Sequence, residues 1–309
     1  MAKVLVTGGA GFIGSHIVDQ MLALEHEVAV LDDLSSGTRS NLSKDVLLKV
    51  LDIRTQEARE FVRDFSPEIL IHAAAQISVR VSMENPTLDT EINLVGLVNI
   101  LQAFPSDRLP YIVFISTGGA LYGEQDFFPA TEDHPIRPAS VYGLAKYTSE
   151  RYLQLWSEQF GLQYVALRLG NVYGPRQNPH GEAGVVAIFC RKFLKGETPK
   201  INGSGTQTRD FVFVGDVARA VVAAINSNVK GSFNIGTSKE TNILEIYRGL
   251  ADAYGFTGSP NFGPGMPGEQ MRSCIDSTKA KSIFDWSPQV EIRDGLAQTM
   301  DWFSKNQDA

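Results

Sequence analysis

Lys3-Val4-Leu5-Val6-Thr7-Gly8-Gly9-Ala10-Gly11-Phe12-Ile13-Gly14 is the stretch that decides the fold. Its first five residues are a short, valine-rich apolar run, which reads as a buried strand of a parallel sheet. Gly9-x-Gly11-x-x-Gly14 follows at once, and then a helical pattern through Ile17, Val18, Met21 and Leu22. Strand, glycine turn and helix in that order make a dinucleotide fingerprint in the context it requires. The glycines permit a tight turn, backbone approach to a pyrophosphate and close helix–strand packing. The helix N-terminus then faces the phosphates. A second apolar strand, Glu27 to Leu31, ends in Asp32, placed to accept hydrogen bonds from the adenosine ribose hydroxyls. Asp32 would repel a 2′-phosphate, and Asp33 adds a second negative charge, so the expected cofactor is NAD. Arg39 is the counter-signal, because an arginine there could meet that phosphate.

The alternation continues outward. Val46 to Leu51 reads as a third strand, Arg54 to Phe65 as a helix, and Glu68 to His72 as a fourth strand. Ala73-Ala74-Ala75 supplies a small-residue turn where backbone could approach a cofactor. Asn85-Pro86 to Ala103 reads as one long helix, and its polar Asn93 needs a partner, either backbone or cofactor. Tyr111 to Ile115 is the fifth strand, ending in Ser116-Thr117-Gly118-Gly119, and Tyr164 to Leu169 the sixth. The expectation is an α/β protein with a doubly wound parallel sheet of the Rossmann type, with ligands beyond the carboxyl ends of its strands. Glycine, proline, asparagine and histidine become frequent from Gly174 to Gly184, which marks a loop-rich region. Residues 1–170 are therefore assigned to dinucleotide binding, with a segment about 210–238 returning to that part. Residues 171–309 are assigned to a smaller C-terminal α/β substrate region.

Composition bounds the function. The chain has 309 residues, 43% hydrophobic and 20% charged, as an ordinary soluble globular protein does. A formal net charge of −7 argues against nucleic acid or an anionic membrane as the main partner. There is no signal peptide pattern and no membrane-length apolar run. Cys190 and Cys274 cannot build a disulfide framework and sit in no metal-ligand spacing, so a cytoplasmic protein without a bound metal is expected.

The chemistry concentrates in Ser140-Val-Tyr-Gly-Leu-Ala-Lys-Tyr-Thr-Ser-Glu150. Tyr142 and Lys146 stand four apart in a helical pattern, which puts both on one face. A free phenol titrates near pH ~10 and is a poor base at neutral pH. A nearby ammonium favours the phenolate and lowers that value. Both this helix and Thr117 follow the fifth strand, so they can meet at its end.

With Gly8 to Gly14, Asp32, Thr117, Tyr142 and Lys146 in view, the chain resembles the extended short-chain dehydrogenase/reductase family. Within it, the chain is similar to the UDP-galactose (UDP-glucose) 4-epimerases over nearly its full length. The resemblance implies that Gly8, Gly11, Phe12, Ile13 and Gly14 hold the NAD pyrophosphate, that Asp32 holds the adenine ribose, and that Asp52 and Ile53 border the adenine. It implies that Ala73, Ala74, Ala75 and Asn93 line the nicotinamide side. Tyr142 would be the acid/base, Lys146 would orient the nicotinamide ribose, and Thr117 would bridge to the sugar. Asn171 and Arg209 would hold the nucleotide-sugar diphosphate, and Val185 would flank the uracil. The implied reaction is 4-epimerisation of a UDP-hexose through a transient 4-keto sugar, in a homodimer built through the Asn85–Ala103 and Tyr142–Gln159 helices.

Two positions depart from the family pattern. The usual catalytic serine falls at Gly118, leaving Thr117 or Ser116 to supply the hydroxyl. The usual arginine before Pro-Gly-Glu is Met266, so the diphosphate has one cation fewer. Relatives confined to unsubstituted sugars carry a bulky tyrosine at the place of Ser273, and a serine there leaves room for an N-acetyl group. A 4,6-dehydratase or sugar-acid decarboxylase would need a carboxylate where Gly118 stands. A UDP-glucuronate 4-epimerase would use the same residues as those found. A non-catalytic NAD-binding regulator would predict a damaged Tyr/Lys pair, and both residues are intact.

Overall fold

Seven parallel strands run through the centre of the computed structural model, which describes residues 1–179, 184–265 and 270–306. In chain order the strands are β1 (Lys3–Thr7), β2 (Glu27–Asp32), β3 (Leu47–Val50), β4 (Ile69–His72), β5 (Tyr111–Thr117), β6 (Gln163–Leu169), β7 (Asn171–Tyr173), β8 (Lys200–Asn202), β9 (Thr208–Arg209), β10 (Phe211–Phe213), β11 (Gly231–Ile235), β12 (Thr241–Asn242), β13 (Asn261–Gly263) and β14 (Arg272–Ser273). The central sheet has the order β11-β6-β5-β4-β1-β2-β3, with every pair parallel. Strand order departs in opposite directions from β1, which opens a crevice at its carboxyl end. This is the doubly wound α/β architecture expected.

The helices are α1 (Phe12–Ala23), α2 (Gln56–Phe65), α3 (Val79–Glu84), α4 (Pro86–Thr90), α5 (Gly96–Leu101), α6 (Val141–Phe160), α7 (Val185–Leu194), α8 (Val214–Ser227), α9 (Ile243–Tyr254), α10 (Thr278–Phe284) and α11 (Ile292–Lys305). Ile17 and Met21 of α1, Val217 and Val221 of α8 and Phe284 of α10 pack on one face of the sheet. Val62 of α2, Leu97 and Ile100 of α5 and Leu153 of α6 pack on the other. A third apolar cluster, built on Phe189, Phe193, Tyr247, Leu250 and Met300, joins α7, α9 and α11. None of the helices among the described residues is long and apolar enough to cross a membrane.

The expected long helix from Asn85 to Ala103 is present over Pro86–Leu101 but is not regular. It consists of α4, a π-helical turn over Glu91–Val95, and α5, and the unforeseen α3 precedes it. Asn85 caps α4 by accepting from the Leu88 amide at 3.2 Å, and Pro86, lacking a donor, opens the helix. The π-turn carries Asn93, and such turns re-aim a side chain that a regular helix would leave in register. By contrast α6 is continuous. Its cap Ser140 accepts from the Gly143 amide at 3.1 Å, and Gly161, at φ +74°, ends it. This cap places Tyr142 in the first turn of α6.

Candidate functional site

The carboxyl ends of β1, β2 and β4 open into a cleft of about 320 Å³. Its floor is the glycine turn. Gly8 sits at φ +69°, and a Cβ there would lie 2.5 Å from the Ala74 amide nitrogen. A Cβ on Gly14 would fall 2.1 Å from the Gly8 carbonyl oxygen, so neither position admits a side chain without moving backbone. Gly11, Phe12 and Ile13 complete the turn, and Asp32, Asp52, Ile53 and Ala73 to Ala75 line the rest of the cleft. Asp32 is buried, and its oxygens accept from the Ala10 and Leu34 amides at 2.9 and 2.8 Å. Burial pushes its pKa up, against those two bonds. A carboxylate has about four acceptor positions, so capacity remains for a ribose hydroxyl beside the Ala10, Leu34 and Gly11 amides. Asp52 is held below the usual carboxylate range by Arg54, which donates to it at 2.6 and 3.0 Å. Arg39 donates instead to the Lys44 and Val46 carbonyls at 2.7 and 3.3 Å, so the counter-signal to NAD is tied to its own loop. Tight backbone, an acidic ribose acceptor and an arginine turned elsewhere fit NAD.

Asn93 does not join this lining. Its Oδ1 accepts from the Gln76 amide at 3.0 Å and its Nδ2 donates to the Gln76 carbonyl at 2.9 Å. The partners the buried amide needed are the Gln76 backbone and the Asp89 carboxylate, to which Nδ2 also donates at 3.0 Å, and Asn93 clamps the loop after β4.

A second cavity of about 430 Å³ opens beyond the ends of β5 and β6. Thr117, Tyr142, Asn171, Arg209 and Ser273 all line it. A methyl grafted on Gly119 would lie 3.8 Å from Asn171 Oδ1 and 3.9 Å from Ser273 Oγ, which measures how closely these groups converge. Ser273 is buried in the wall of this cavity rather than facing solvent. Thr117 Oγ1 accepts from the Ala120 amide at 3.2 Å. Ser116, on the opposite face of β5, donates to Glu150 at 2.6 Å in the core. The geometry therefore leaves Thr117, not Ser116, at the cavity. Val185 does not line it. It starts α7, half-buried against the third apolar cluster. Met266 lies outside the described residues.

Lys146 is buried one turn beyond Tyr142. Its Nζ donates to the Ile115 carbonyl at 3.0 Å and lies 4.8 Å from the centre of the Phe114 ring. Burial lowers its pKa to about 8, while Asp89 and Glu150 act to raise it. The Tyr142 phenol stands one turn before it on α6. Burial pushes the phenol well above its ordinary value, and the Asp89 carboxylate pushes it further.

The sequence did not reveal the polar structure under the site. Glu150 accepts from Ser116, from Ser232 at 3.1 Å and from Arg168, with which it forms a buried ion pair at 2.7 Å. Arg168 also donates to the Tyr122 hydroxyl at 3.0 Å, tying the loop that carries Gly119, Ala120 and Gly123 to the sheet. The available signal was the four-residue spacing of Tyr142, Lys146 and Glu150. Val79 of α3 also lines the cavity and was missed with its helix.

The model of the NAD dependent epimerase/dehydratase family matches residues 4–236. The chain belongs to that family. Among curated members it is 42% identical to the UDP-glucose 4-epimerase of Mycolicibacterium smegmatis, covering 97% of this chain and 98% of that one. Among solved structures it is similar to the UDP-glucose 4-epimerase of Thermotoga maritima with UDP-glucose. There the TM-score is 0.94 and the identity 41%, covering 99% of each chain. The UDP-glucose 4-epimerase of Thermus thermophilus in complex with NAD gives a TM-score of 0.91 and 44% identity, covering 97% of this chain and 98% of that chain.

Proposed function

We propose that the protein is an NAD-dependent isomerase that interconverts UDP-hexoses at C4, as UDP-glucose 4-epimerases do. The observation that carries this reading is the convergence of Thr117, Tyr142, Asn171, Arg209 and Ser273 on one cavity beside a glycine-turn cleft. Gly8, Gly11, Phe12, Ile13 and Gly14 would hold the NAD pyrophosphate, Asp32 the adenine ribose, and Lys146 the nicotinamide ribose. NAD, when bound, supplies a reversible acceptor for the C4 hydride and a positive ring charge that favours phenolate. Tyr142 takes the proton of the C4 hydroxyl and gives a proton back to the C4 oxygen once the sugar has turned. The Thr117 hydroxyl bridges tyrosine and sugar. Arg209 and Asn171 hold the diphosphate, a charge-assisted contact that anchors the nucleotide while the hexose rotates. The net reaction is not redox, so the cofactor stays bound from one turnover to the next.

Gly118 speaks against elimination chemistry in this site. A Cβ there would lie 2.9 Å from the Ile275 side chain, so a carboxylate at that position has no room without repacking. The homodimer reading draws support from the exposed Met83, Val95, Leu144 and Leu155, which lie on the expected helices or next to them. A cytoplasmic location fits two buried free thiols, Cys190 and Cys274. The division of labour at residue 170 is part of the same reading.

The test is incubation of purified protein with a panel of UDP-sugars and separation of the products. The expected outcome is conversion of UDP-galactose to UDP-glucose with no net change in cofactor absorbance. Conversion of UDP-glucuronate alone would move the assignment to that epimerase. No conversion of any UDP-sugar by NAD-loaded protein would sink the reading.

A further inference from the structure

Asp89 is a buried carboxylate that none of the roles above uses. Its Oδ1 accepts from Gln76 Nε2 at 2.7 Å and from Asn93 Nδ2 at 3.0 Å. The orientation of both amides is set by backbone donors, since Asn93 Oδ1 accepts from the Gln76 amide and Gln76 Oε1 from the Ser78 amide. Burial raises the Asp89 pKa, while the two amide donors and Lys146 lower it, and two donors on one oxygen suit the ionised form. Asp89 Oδ2 has no hydrogen-bond partner among the described residues. The π-turn beside it is fixed to α6 by Ser149, whose Oγ donates to the Asn93 carbonyl at 3.0 Å. Ser149 lies one turn beyond Lys146 on α6.

Lys146 is a buried cation that forms no ion pair among the described residues. Arg80 and Glu84 on α3 pair with each other at 3.1 Å on the surface. Glu91 in the π-turn pairs with Arg54 at 3.1 Å. Glu150 on α6 is bound to Arg168 at 2.7 Å. His72 on β4 has its pKa lowered to about 3 by burial and by Lys146, so it is neutral. Asp89 and Lys146 act on each other electrostatically, and Asp89 acts on Tyr142 as well.

We propose that Asp89 is a positioning residue for the Tyr142–Lys146 pair: a fixed buried anion that keeps Lys146 protonated and sets the pH range in which the pair works. Its catalytic consequence rests on the epimerase reading; the charge coupling does not. A carboxylate there favours the proton on both partners, so its removal lowers the proton affinity of both. The single clamp on Gln76 also ties this charge to the loop between the two cavities, because Gln76 lines one and Val79 the other.

The experiment compares wild type with Asp89→Asn, each as purified with its cofactor. Protein labelled with ¹³C-lysine reports the ionisation of Lys146 through its Cε resonance, assigned with Lys146→Arg. The Lys146 midpoint should fall by about one pH unit or more, the usual effect of losing a close opposite charge. Both limbs of the kcat/KM profile should move to lower pH together, and Asp89→Glu should bring them back. An unmoved Lys146 midpoint with reduced activity would overturn the proposal and leave Asp89 as an anchor of the Gln76 loop. If Asp89→Asn does not fold, the same titration on Asp89→Glu and Asp89→Gln, matched in size and differing in charge, decides it by the same criterion. A shifted midpoint in protein that turns over no UDP-sugar would retire the epimerase reading and keep the coupling.

Discussion

The two cavities are built in opposite ways. The cleft at β1 is made largely of backbone, and its key positions, Gly8 to Gly14, Asp32 and Ala73 to Ala75, fall in short runs at strand ends. The cavity at β5 is made of side chains drawn from β5, α6, β7, β9 and β14. Those last three strands are two or three residues long and sit in small sheets, β10-β7 and β12-β9-β14, outside the main one. Backbone recognition demands particular residues at particular spacings, because only glycine tolerates the turn. Side-chain recognition demands only that distant segments fold together. The first kind of site should therefore fail through geometry and the second through chemistry.

Tyr142→Phe is the sharpest chemical test. Removing a general acid/base typically costs ~10²–10⁴-fold, so kcat should drop by at least about 10² while NAD released on denaturation stays at the wild-type amount. More than a tenth of the wild-type rate remaining would remove Tyr142 from the reaction. Gly8→Ala is the matching geometric test. Left-handed backbone with a Cβ costs ~1–2 kcal/mol, and forcing that Cβ against Ala74 costs a further ~1–3 kcal/mol. Bound NAD and thermal stability should fall together. Wild-type NAD content in the alanine variant would break the contrast, because the turn would then be plastic.

The same contrast explains what was legible in the sequence. The strand–turn–helix at Lys3 to Gly14 is local, and the sheet followed from alternating patterns, down to the burial of β4 and β5. Tyr142 and Lys146 were legible because one helix carries both. The π-turn at Glu91–Val95 was not, since nothing in the periodicity separates it from a regular turn. Asn93 could be flagged as needing a partner, but only the fold shows that the partners are the Gln76 backbone and Asp89. The surroundings of Lys146 escape the sequence for a related reason. Spacing locates Lys146 but reveals neither the Ile115 carbonyl to which its ammonium donates nor the burial of Asp89. Short strands such as β9 and β14 carry too few residues to show a period.

Thr117 and Ser116 divide the contrast within two adjacent residues. Thr117→Val removes the hydroxyl that faces the cavity, and the loss of one hydrogen bond should slow turnover by ~1–3 kcal/mol in the barrier with little change in melting temperature. Ser116→Ala leaves Glu150 short of a donor in the core, so it should lower stability by a similar amount and leave kcat nearly intact. Measuring kcat and thermal unfolding on both variants separates the roles. A larger kcat loss in Ser116→Ala would transfer the bridging hydroxyl to it.

The smallest effect concerns the size of sugar admitted, and it depends on a single side chain. Ser273 is 3% exposed and lines the cavity, at the end of a strand paired with Arg209 through β9. A serine there leaves room that a tyrosine ring would fill. Burying an acetyl methyl group gains only ~0.8 kcal/mol, whereas pressing it against a ring costs ~1–3 kcal/mol. Steric permission outweighs the gain from burial, so wild type should turn over UDP-N-acetylgalactosamine as well as UDP-galactose. Ser273→Tyr should then lower the rate on the acetylated sugar relative to the plain one by about tenfold, ~1.4 kcal/mol, within that overpacking range. The ratio of the two rates cancels general damage to folding or to NAD binding, which would slow both sugars alike. A ratio unchanged by the tyrosine would mean that the acetyl group projects elsewhere. The side-chain-built cavity would then discriminate through residues other than Ser273, such as Gln270, which donates to the Gly123 carbonyl across it.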